Sequence, residues 1–288
     1  MQISQVKALA DALRGNISKL IVRKEAVVDK VLDALLAGGH VLLEDVPGTG
    51  KTMLSRALAK SMRGSFSRIQ FTPDLLPSDV TGVAVFSPKT AEFSYKPGPV
   101  FANLVLADEI NRATPRAQSS MLECMEEKQV SSDGTTYPLP APFFVIATQN
   151  PVETQGTFPL PEAQLDRFMV KLSMGYPTLQ EQSAILARFI QDSPQDDLEP
   201  VCTAQEVLEA QRAVRAVRVH PDILDYIGAI CERTRRLEDA LLGASPRAAL
   251  ALMRVSQSYA AMQGRSYVTP EDVKSLAVPV LAHRLILR

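Results

Sequence analysis

A short stretch near the start of the chain has the residue types and spacing that bind phosphate. An apolar strand at Val41–Leu43 leads into a loop with Gly48 and Gly50, and Lys51 and Thr52 then begin an amphipathic helix. Backbone N–H groups of such a loop converge on an anion, and the helix dipole adds partial positive charge. A lysine here reaches the β- and γ-phosphates, and the threonine hydroxyl binds Mg²⁺. The stretch predicts a P-loop; an ordinary strand-to-helix turn is the simpler alternative.

The stretch departs from the usual P-loop pattern at one position. The usual pattern begins with a glycine, followed by four residues and then the glycine that corresponds to Gly50. In this chain the first position is Asp45. The turn glycines and the Gly-Lys-Thr sequence are still present, which favours phosphate binding. The residues predicted to surround the nucleotide phosphates are Asp45, Val46, Pro47, Gly48, Thr49, Gly50, Lys51, Thr52 and Met53.

Two adjacent acids follow another apolar strand. The stretch 103–110 reads NLVLADEI, which is typical of a parallel strand buried on both faces. Asp108 and Glu109 are therefore expected at the carboxyl edge of the sheet, where ligands bind. In P-loop hydrolases the first acid holds Mg²⁺ through water. Its neighbour can orient and deprotonate the attacking water. We predict Asp108 and Thr52 as the Mg²⁺ site and Glu109 as the general base, with solvated acids as the alternative.

These side chains need a parallel sheet to bring them together. Up to Pro177 the chain alternates helical patterns with five apolar strands, which predicts an α/β fold: a P-loop αβα sandwich around a five-stranded parallel sheet. The strands are expected near 41–43, 66–71, 103–110, 143–147 and 168–172. Prolines and glycines are dense between 72 and 100, where we predict loops and short hairpins.

Strand patterns end after Pro177. A helix near 179–190 precedes the polar stretch 191–197, which we interpret as a linker. Helical patterns then recur near 204–217, 221–237, 245–262 and 269–285. We therefore predict two domains, a nucleotide-binding core over 1–195 and a small all-α domain over 196–288.

Composition narrows the class of protein. The chain has 288 residues and a net charge of −1, so no overall basic field indicates nucleic acid as a partner. Its three cysteines lie far apart, which indicates neither a zinc site nor a disulfide framework. No secretory signal or membrane-spanning apolar run is present, and a cytoplasmic protein is expected.

Five stretches together resemble one family. They are HVLLEDVPGTGKT (40–52), RIQFTPDLLPSDVTG (68–82), PGPVFANLVLADEINRATPRAQSSMLECMEE (97–127), VIATQNPVETQGTFPLPEAQLDRF (145–168) and GASPRAALALM (243–253). In these motifs the chain resembles the AAA+ ATPases, and within them the MoxR group. The resemblance implies an AAA+ core followed by a helical lid, with ATP bound between them.

The resemblance also implies roles for three polar side chains outside the P-loop. Asn150 is similar to sensor 1, which orients the attacking water, although an asparagine before Pro151 is also natural in a turn. Arg167 is similar to the arginine finger that a neighbouring subunit inserts. Arg247 resembles sensor 2 at the start of a lid helix. For both arginines the alternative is an exposed or salt-bridged side chain.

The segment from Ile21 to Glu25 aligns with the stretch that touches adenine in many relatives. Arg23 and Lys24 stand where Gly-Gln is usual, and Ile21 and Val22 remain as apolar contacts. The implied function is Mg²⁺-dependent ATP hydrolysis in a homo-oligomeric ring, expected to be a hexamer. The ring would remodel client proteins as a chaperone, and the resemblance suggests a von Willebrand factor A domain protein as its partner. The alternatives are a nucleic-acid motor or loader and a nucleotide-dependent switch with little hydrolysis.

Overall fold

The structure is a computed structural model that describes residues 1–46, 48–88, 91–151, 156–189 and 198–288. Pro47 and the predicted linker 191–197 lie outside the described residues. Within them, the helices are α1 (Ile3–Ser18), α2 (Glu25–Ala37), α3 (Lys51–Ser61), α4 (Pro77–Thr81), α5 (Pro115–Glu127), α6 (Glu162–Leu165), α7 (Leu179–Phe189), α8 (Ala204–Arg215), α9 (Pro221–Arg235), α10 (Pro246–Met262) and α11 (Pro270–Leu281). The strands are β1 (Val41–Glu44), β2 (Phe66–Gln70), β3 (Gly82–Ser87), β4 (Glu92–Pro97), β5 (Leu104–Asp108), β6 (Gln129–Ser132), β7 (Thr135–Pro138), β8 (Phe144–Gln149), β9 (Val170–Leu172), β10 (Ala240–Leu242) and β11 (Ile286–Leu287).

The centre of the protein is a five-stranded sheet in the order β2-β5-β8-β1-β9. Every neighbouring pair in this sheet is parallel. Strand β5 is buried along its whole length, as its continuous apolar sequence requires. The five-stranded parallel sheet predicted from the sequence is confirmed. It brings the carboxyl ends of β1, β2, β5 and β8 to one edge.

Alternate residues of the strands face two separate cores. Leu43 and Ile146 belong to the core that also contains the apolar faces of α1, α2 and α3. Leu42 and Val145 belong to the opposite core, which contains the apolar face of α5. This alternation follows from the period of two along a strand. The P-loop helix α3 and the helix after the Asp108 strand therefore lie on opposite faces of the sheet.

The helices after residue 198 pack on the N-terminal helices. Helix α10 contacts α1 and α2, and α8 also contacts both of them. Their buried apolar residues belong to the same continuous core as the α3 face of the sheet. Helices α10 and α11 begin with proline after the capping residues Ser245 and Thr269. No helix in the described ranges is long and apolar enough to cross a membrane.

The prediction of an all-α second domain omits one short pair of strands. Strands β10 and β11 pair antiparallel and join the end of the chain to the segment before α10. Each has at most three residues, too few for an alternating pattern to be visible in the sequence. The hairpin β3–β4 agrees with the short hairpins predicted between 72 and 100. The hairpin β6–β7 turns at Asp133 and Gly134, which both have positive φ.

Candidate functional site

The P-loop connects the end of β1 to the start of α3. Gly48 and Gly50 have φ of 83° and 91°, a left-handed conformation that glycine adopts without steric cost. Gly50 is the N-cap of α3, and Lys51 is the first helical residue. The backbone N–H groups of the first turn therefore face the loop, as phosphate binding requires.

The Lys51 ammonium folds back onto the loop. Its Nζ donates to the carbonyl oxygens of Asp45 at 3.0 Å and Val46 at 3.1 Å. Burial lowers the pKa of Lys51, while the carboxylates of Asp45, Asp108 and Glu109 oppose that shift. Both carbonyl bonds are ones that an anionic oxygen can replace, so the lysine can turn toward a phosphate without leaving its loop.

Asp45, which stands in place of the usual first glycine, is a buried anchor. Its carboxylate accepts hydrogen bonds from the Ser173 hydroxyl at 2.9 Å and the Gly175 N–H at 3.0 Å. The Met174 N–H donates to it as well. Asp45 is 5% exposed. These bonds fix the segment after β9 against the P-loop, which gives the aspartate a structural task.

Asp108 lies at the end of β5, at the carboxyl edge of the sheet, where the sequence predicts it. Its Oδ1 accepts a hydrogen bond from the Thr148 hydroxyl at 2.7 Å. Its Oδ2 accepts two from Arg68, at 3.0 Å from Nε and 2.6 Å from Nη2. The carboxylate is therefore held in one orientation by groups on both neighbouring strands, β2 and β8.

Glu109 follows Asp108 in an uncommon backbone conformation. Its φ of 55° and ψ of 50° are left-handed, which a non-glycine residue rarely adopts. Its N–H donates to the Thr148 hydroxyl at 2.8 Å, so this threonine binds both acids. Its Oε2 accepts from Gln70 at 2.9 Å and Arg112 at 3.1 Å. The strained turn and these donors aim the carboxylate toward the end of the neighbouring strand β2.

A cavity of 420 Å³ lies between the P-loop and these acids. Lys51, Thr52, Asp108, Glu109 and Asn150 all line it, so the structure brings these predicted residues together. Asn150 is 8% exposed at the end of β8, where its backbone carbonyl accepts a 3.5 Å hydrogen bond from the Asn111 amide. The lining combines cationic, carboxylate and amide groups, which suits a triphosphate and an attacking water.

A second, more apolar cavity of 240 Å³ continues from the first. The two share Gly48, Gly50 and Met53. Ile21 and Val22 line the second cavity, where the resemblance places adenine. Thr49 lines it as well. Its apolar walls and its junction with the P-loop suit a nucleoside base attached to phosphates.

Arg23 and Lys24, which replace the usual Gly-Gln, bind helix α7. Arg23 has a φ of 52°, and its Nη1 donates to Gln180 at 3.2 Å. The Lys24 Nζ lies 3.7 Å from the Glu181 carboxylate. Lys24 also lines the apolar cavity. The altered dipeptide therefore ties α7 to the mouth of this cavity.

The donor set around Asp108 fits a Mg²⁺ ion that a nucleotide brings with it. Asp108 and the Thr52 hydroxyl offer oxygen ligands at the phosphate cavity. Mg²⁺ is commonly held by one or two carboxylates together with substrate phosphates. Across the described ranges no cluster of three acidic, histidine or cysteine side chains forms a separate metal cage.

Arg167 and Arg247 lie together, away from the cavity walls. The Nη2 of each arginine lies 3.2 Å from a different oxygen of the Glu126 carboxylate on α5. Neither arginine lines the two cavities. The expectation that ATP lies between the core and the lid stays a prediction, although no described residue of α8–α11 lines either cavity. The lid packs on α1 and α2 instead.

Three residues of the site were missed by sequence reasoning. Arg68 and Gln70 alternate along β2 and line the cavity, and Thr148 of β8 binds both acids. The signal for the β2 pair is the stretch FSRIQ, in which polar side chains two residues apart point to one side. Thr148 gives no comparable signal, since a threonine at a strand end is ordinary.

Comparisons with known proteins show which families the chain matches. Residues 40–170 match the ATPase family associated with various cellular activities (AAA), and residues 232–288 match the AAA lid domain. The chain is 53% identical to the uncharacterized protein YeaC of Bacillus subtilis (strain 168), over 94% of this chain and 85% of that protein. It is 42% identical to chaperone MoxR1 of Mycobacterium tuberculosis (strain H37Rv), over 94% of this chain and 74% of that protein.

A solved structure shares the whole architecture. The crystal structure of a candidate ATPase from Cytophaga hutchinsonii matches with a TM-score of 0.91 and 39% identity. The match covers 99% of this chain and 89% of that one. The likeness therefore extends beyond the sheet to the helices that follow it.

Proposed function

Since the chain belongs to the MoxR family of AAA+ ATPases, we propose that it hydrolyses ATP to ADP and phosphate in a homo-oligomeric ring, with Mg²⁺, to remodel client proteins. The observation that carries the proposal is the phosphate cavity, where Lys51, Asp108 and Glu109 converge on the P-loop beside an apolar pocket. Such a pair of cavities suits a nucleoside triphosphate, with its base at Ile21 and Val22.

Binding uses groups that the P-loop already presents. The N–H groups at the start of α3 receive the phosphates, and Lys51 exchanges its two carbonyl bonds for phosphate oxygens. Thr52 and Asp108 would hold Mg²⁺, which supplies neutralisation of phosphate charge. Arg68, already on Asp108, adds positive charge at the same wall of the cavity.

Glu109 is the proposed general base. Gln70 and Arg112 donate to its carboxylate and hold it in place, and a carboxylate oxygen can take a proton from water. Glu109 and Asn150, which follows the neighbouring strand β8, both line the phosphate cavity, where a water would attack the terminal phosphate. Thr148 fixes the backbone of Glu109 and the carboxylate of Asp108 relative to each other.

We propose that Arg167 and Arg247 act on the nucleotide of a neighbouring subunit. Both side chains are partly exposed, at 28% and 45%, and both are paired with the same glutamate away from their own cavity. In a ring, one face of each subunit meets the opposite face of the next, so a residue remote from its own site can complete another. Two arginines at one place would stabilise the charge that develops on the transferred phosphoryl group.

Mixing two inactive variants tests this shared site. Arg167→Ala removes the arginine but leaves its own P-loop and Glu109 intact, and Glu109→Gln does the reverse. Each variant alone is expected to lose about a hundredfold or more in phosphate release, with ATP binding retained. Their mixture should hydrolyse ATP well above either parent, measured as phosphate release with Mg²⁺. A mixture no more active than its parents would contradict action between subunits.

The remodelling role is supported by the relative named chaperone MoxR1. Glu109→Gln protein, loaded with ATP, is expected to retain its clients in a pull-down from native extract. Mass spectrometry would identify them, and a von Willebrand factor A domain protein among them would support the partner that the family resemblance suggests. Lys51→Ala protein, unable to hold ATP, is the matched control. Equal recovery of the same proteins with both variants would argue against nucleotide-dependent remodelling.

A further inference from the structure

The last turn of the lid binds the segment that carries Arg167 and leads into β9. Arg284 lies in the 3₁₀ turn after α11 and is 6% exposed. Its Nε donates to the Asp166 carboxylate at 2.6 Å. Its Nη2 donates to the carbonyl oxygens of Asp166 at 3.1 Å and Phe168 at 2.7 Å, and its Nη1 to that of Met169 at 3.2 Å. One buried guanidinium therefore spans the chain on both sides of Arg167.

Asp166 also binds the start of helix α10. Its second carboxylate oxygen accepts the Ser245 hydroxyl at 3.1 Å. Ser245 is the N-cap of α10 and accepts the Ala248 N–H. Arg247 is the second residue of that helix. The aspartate thus joins three pieces of chain: the end of the lid, the start of α10, and the segment that carries Arg167.

This junction fixes the backbone near both arginines, and Glu126 contacts their guanidinium groups. Arg167 follows Asp166 directly, and Arg247 lies two residues after Ser245. Their guanidinium groups each lie 3.2 Å from the Glu126 carboxylate. The ion pairs with Glu126 are solvent-exposed and therefore weak. The Asp166–Arg284 pair, in which the arginine is buried, is the part of the arrangement that can hold the backbones in place.

A further contact strengthens the same junction. The His283 Nε2 lies 3.0 Å from the Phe168 carbonyl oxygen. Burial lowers the pKa of His283 to about 3, so the ring is neutral and donates from Nε2 at ordinary pH. Phe168 is fully buried in the core on the α5 face of the sheet. Two successive lid residues therefore hold one backbone carbonyl next to Arg167.

We infer that Arg284 and Asp166 are positioning residues that present Arg167 and Arg247 together to the nucleotide of a neighbouring subunit. The inference rests on the proposed action of these arginines between subunits. It makes the end of the lid part of the active site of another subunit. A movement of the lid would then reach both arginines at once, because one carboxylate holds both of their segments.

Subunit mixing distinguishes a variant that fails to position its arginines from a variant whose own nucleotide site is damaged. Arg284→Met should lose hydrolysis about as severely as Arg167→Ala, with ATP binding unchanged. Mixed with Glu109→Gln, it should regain activity, because its intact P-loop then receives arginines from the other variant. With random mixing and independent interfaces, about a quarter of the interfaces are competent. Arg284→Lys, which keeps the charge but loses the fork of donors, should be intermediate.

Arg265→Met is the matched control. Arg265 makes a two-pronged ion pair with the buried Asp272, at 2.7 Å and 2.8 Å, at the other end of the α10–α11 pair. Both methionine variants should lower the melting temperature, since each leaves a carboxylate unpaired. Only Arg284→Met should lose hydrolysis. Equal loss in both would mean that lid stability alone is responsible, and the inference would be overturned.

The remaining outcomes are also decisive. If Arg167→Ala is rescued by Glu109→Gln and an inactive Arg284→Met is not, Arg284 acts within its own subunit and the inference fails while the proposed function stands. If neither is rescued, the proposed action between subunits fails. Should Arg284→Met not fold, as shown by lost ATP binding, the isosteric Asp166→Asn replaces it in the same mixture. Full activity of either variant alone would refute the positioning role.

Discussion

Asp45 shows how one residue of the site differs from its sequence motif. The sequence predicts a phosphate-binding loop from the glycines and Lys51, and the structure builds the loop with those residues. The loop motif cannot reveal that the aspartate binds the segment after β9, because those partners lie about 130 positions away. The apolar cavity is lined by Met174 and Gly175 of that segment. Asp45 therefore links the phosphate loop to the proposed base pocket.

Asp45→Ala is expected to weaken both the fold and nucleotide binding. The carboxylate satisfies three donors, and its loss leaves buried N–H groups unpaired, at a cost of about 3 kcal/mol. Met174 and Gly175 would lose their anchor, so ATP affinity should fall together with the melting temperature. Calorimetric titration with ATP and thermal unfolding measure the two effects. Ser173→Ala removes one donor only and should have a smaller effect; unchanged stability in Asp45→Ala would contradict the anchoring role.

At the scale of elements, sequence periodicity predicts helices and strands well but not their partners. Helices α8–α11 lie within the four ranges predicted after the linker, and the five strands of the sheet fall where apolar runs stand. The packing of α2 against α10 cannot be read from either helix, because both have wide apolar faces. Strands β10 and β11 could not be predicted either, because they are too short to show a pattern.

Helix α2 contains a buried acid, Asp33, whose pKa should make stability depend on pH. Neither carboxylate oxygen has a hydrogen-bond partner in the described residues, and the Lys30 ammonium lies 3.6 Å away. Burial raises the pKa of Asp33 from 3.8 to about 7, although Lys30 opposes the shift. Between these values the folded state retains a proton that the unfolded state has lost. Folding stability should therefore decrease as pH rises from about 4 to 7.

Asp33→Asn is expected to remove this pH dependence. The amide stays neutral, so the gain in melting temperature over the native protein should grow from pH 5 to pH 7 and then level off. At pH 8 the gain in unfolding free energy is at most about 4 kcal/mol. Thermal unfolding at several pH values measures it, and Asp11→Asn, at an exposed acid of α1, should follow the native protein. A constant difference between pH 5 and 8 would show that Asp33 is ionised throughout.

At the scale of the whole molecule, the arrangement separates the residues proposed to bind nucleotide from those proposed to complete the site. The sequence predicts both sets, because each belongs to a motif of the family. It does not show that Arg167 and Arg247 share Glu126, since Arg247 and Glu126 stand more than a hundred positions apart. That juxtaposition depends on how the lid packs on α1 and α2. The ring is therefore the unit in which hydrolysis is proposed to occur.

The central claim is that Glu109 activates water at a nucleotide held by the P-loop. The most direct measurement follows ATP and phosphate on Glu109→Gln protein with Mg²⁺, beside the native protein. The glutamine keeps the shape of the side chain and can still bind Gln70, but it cannot take a proton. We expect the variant to retain ATP unhydrolysed and stay assembled, with phosphate release reduced about a hundredfold or more. Phosphate release at the native rate would contradict the assignment of Glu109 as the base.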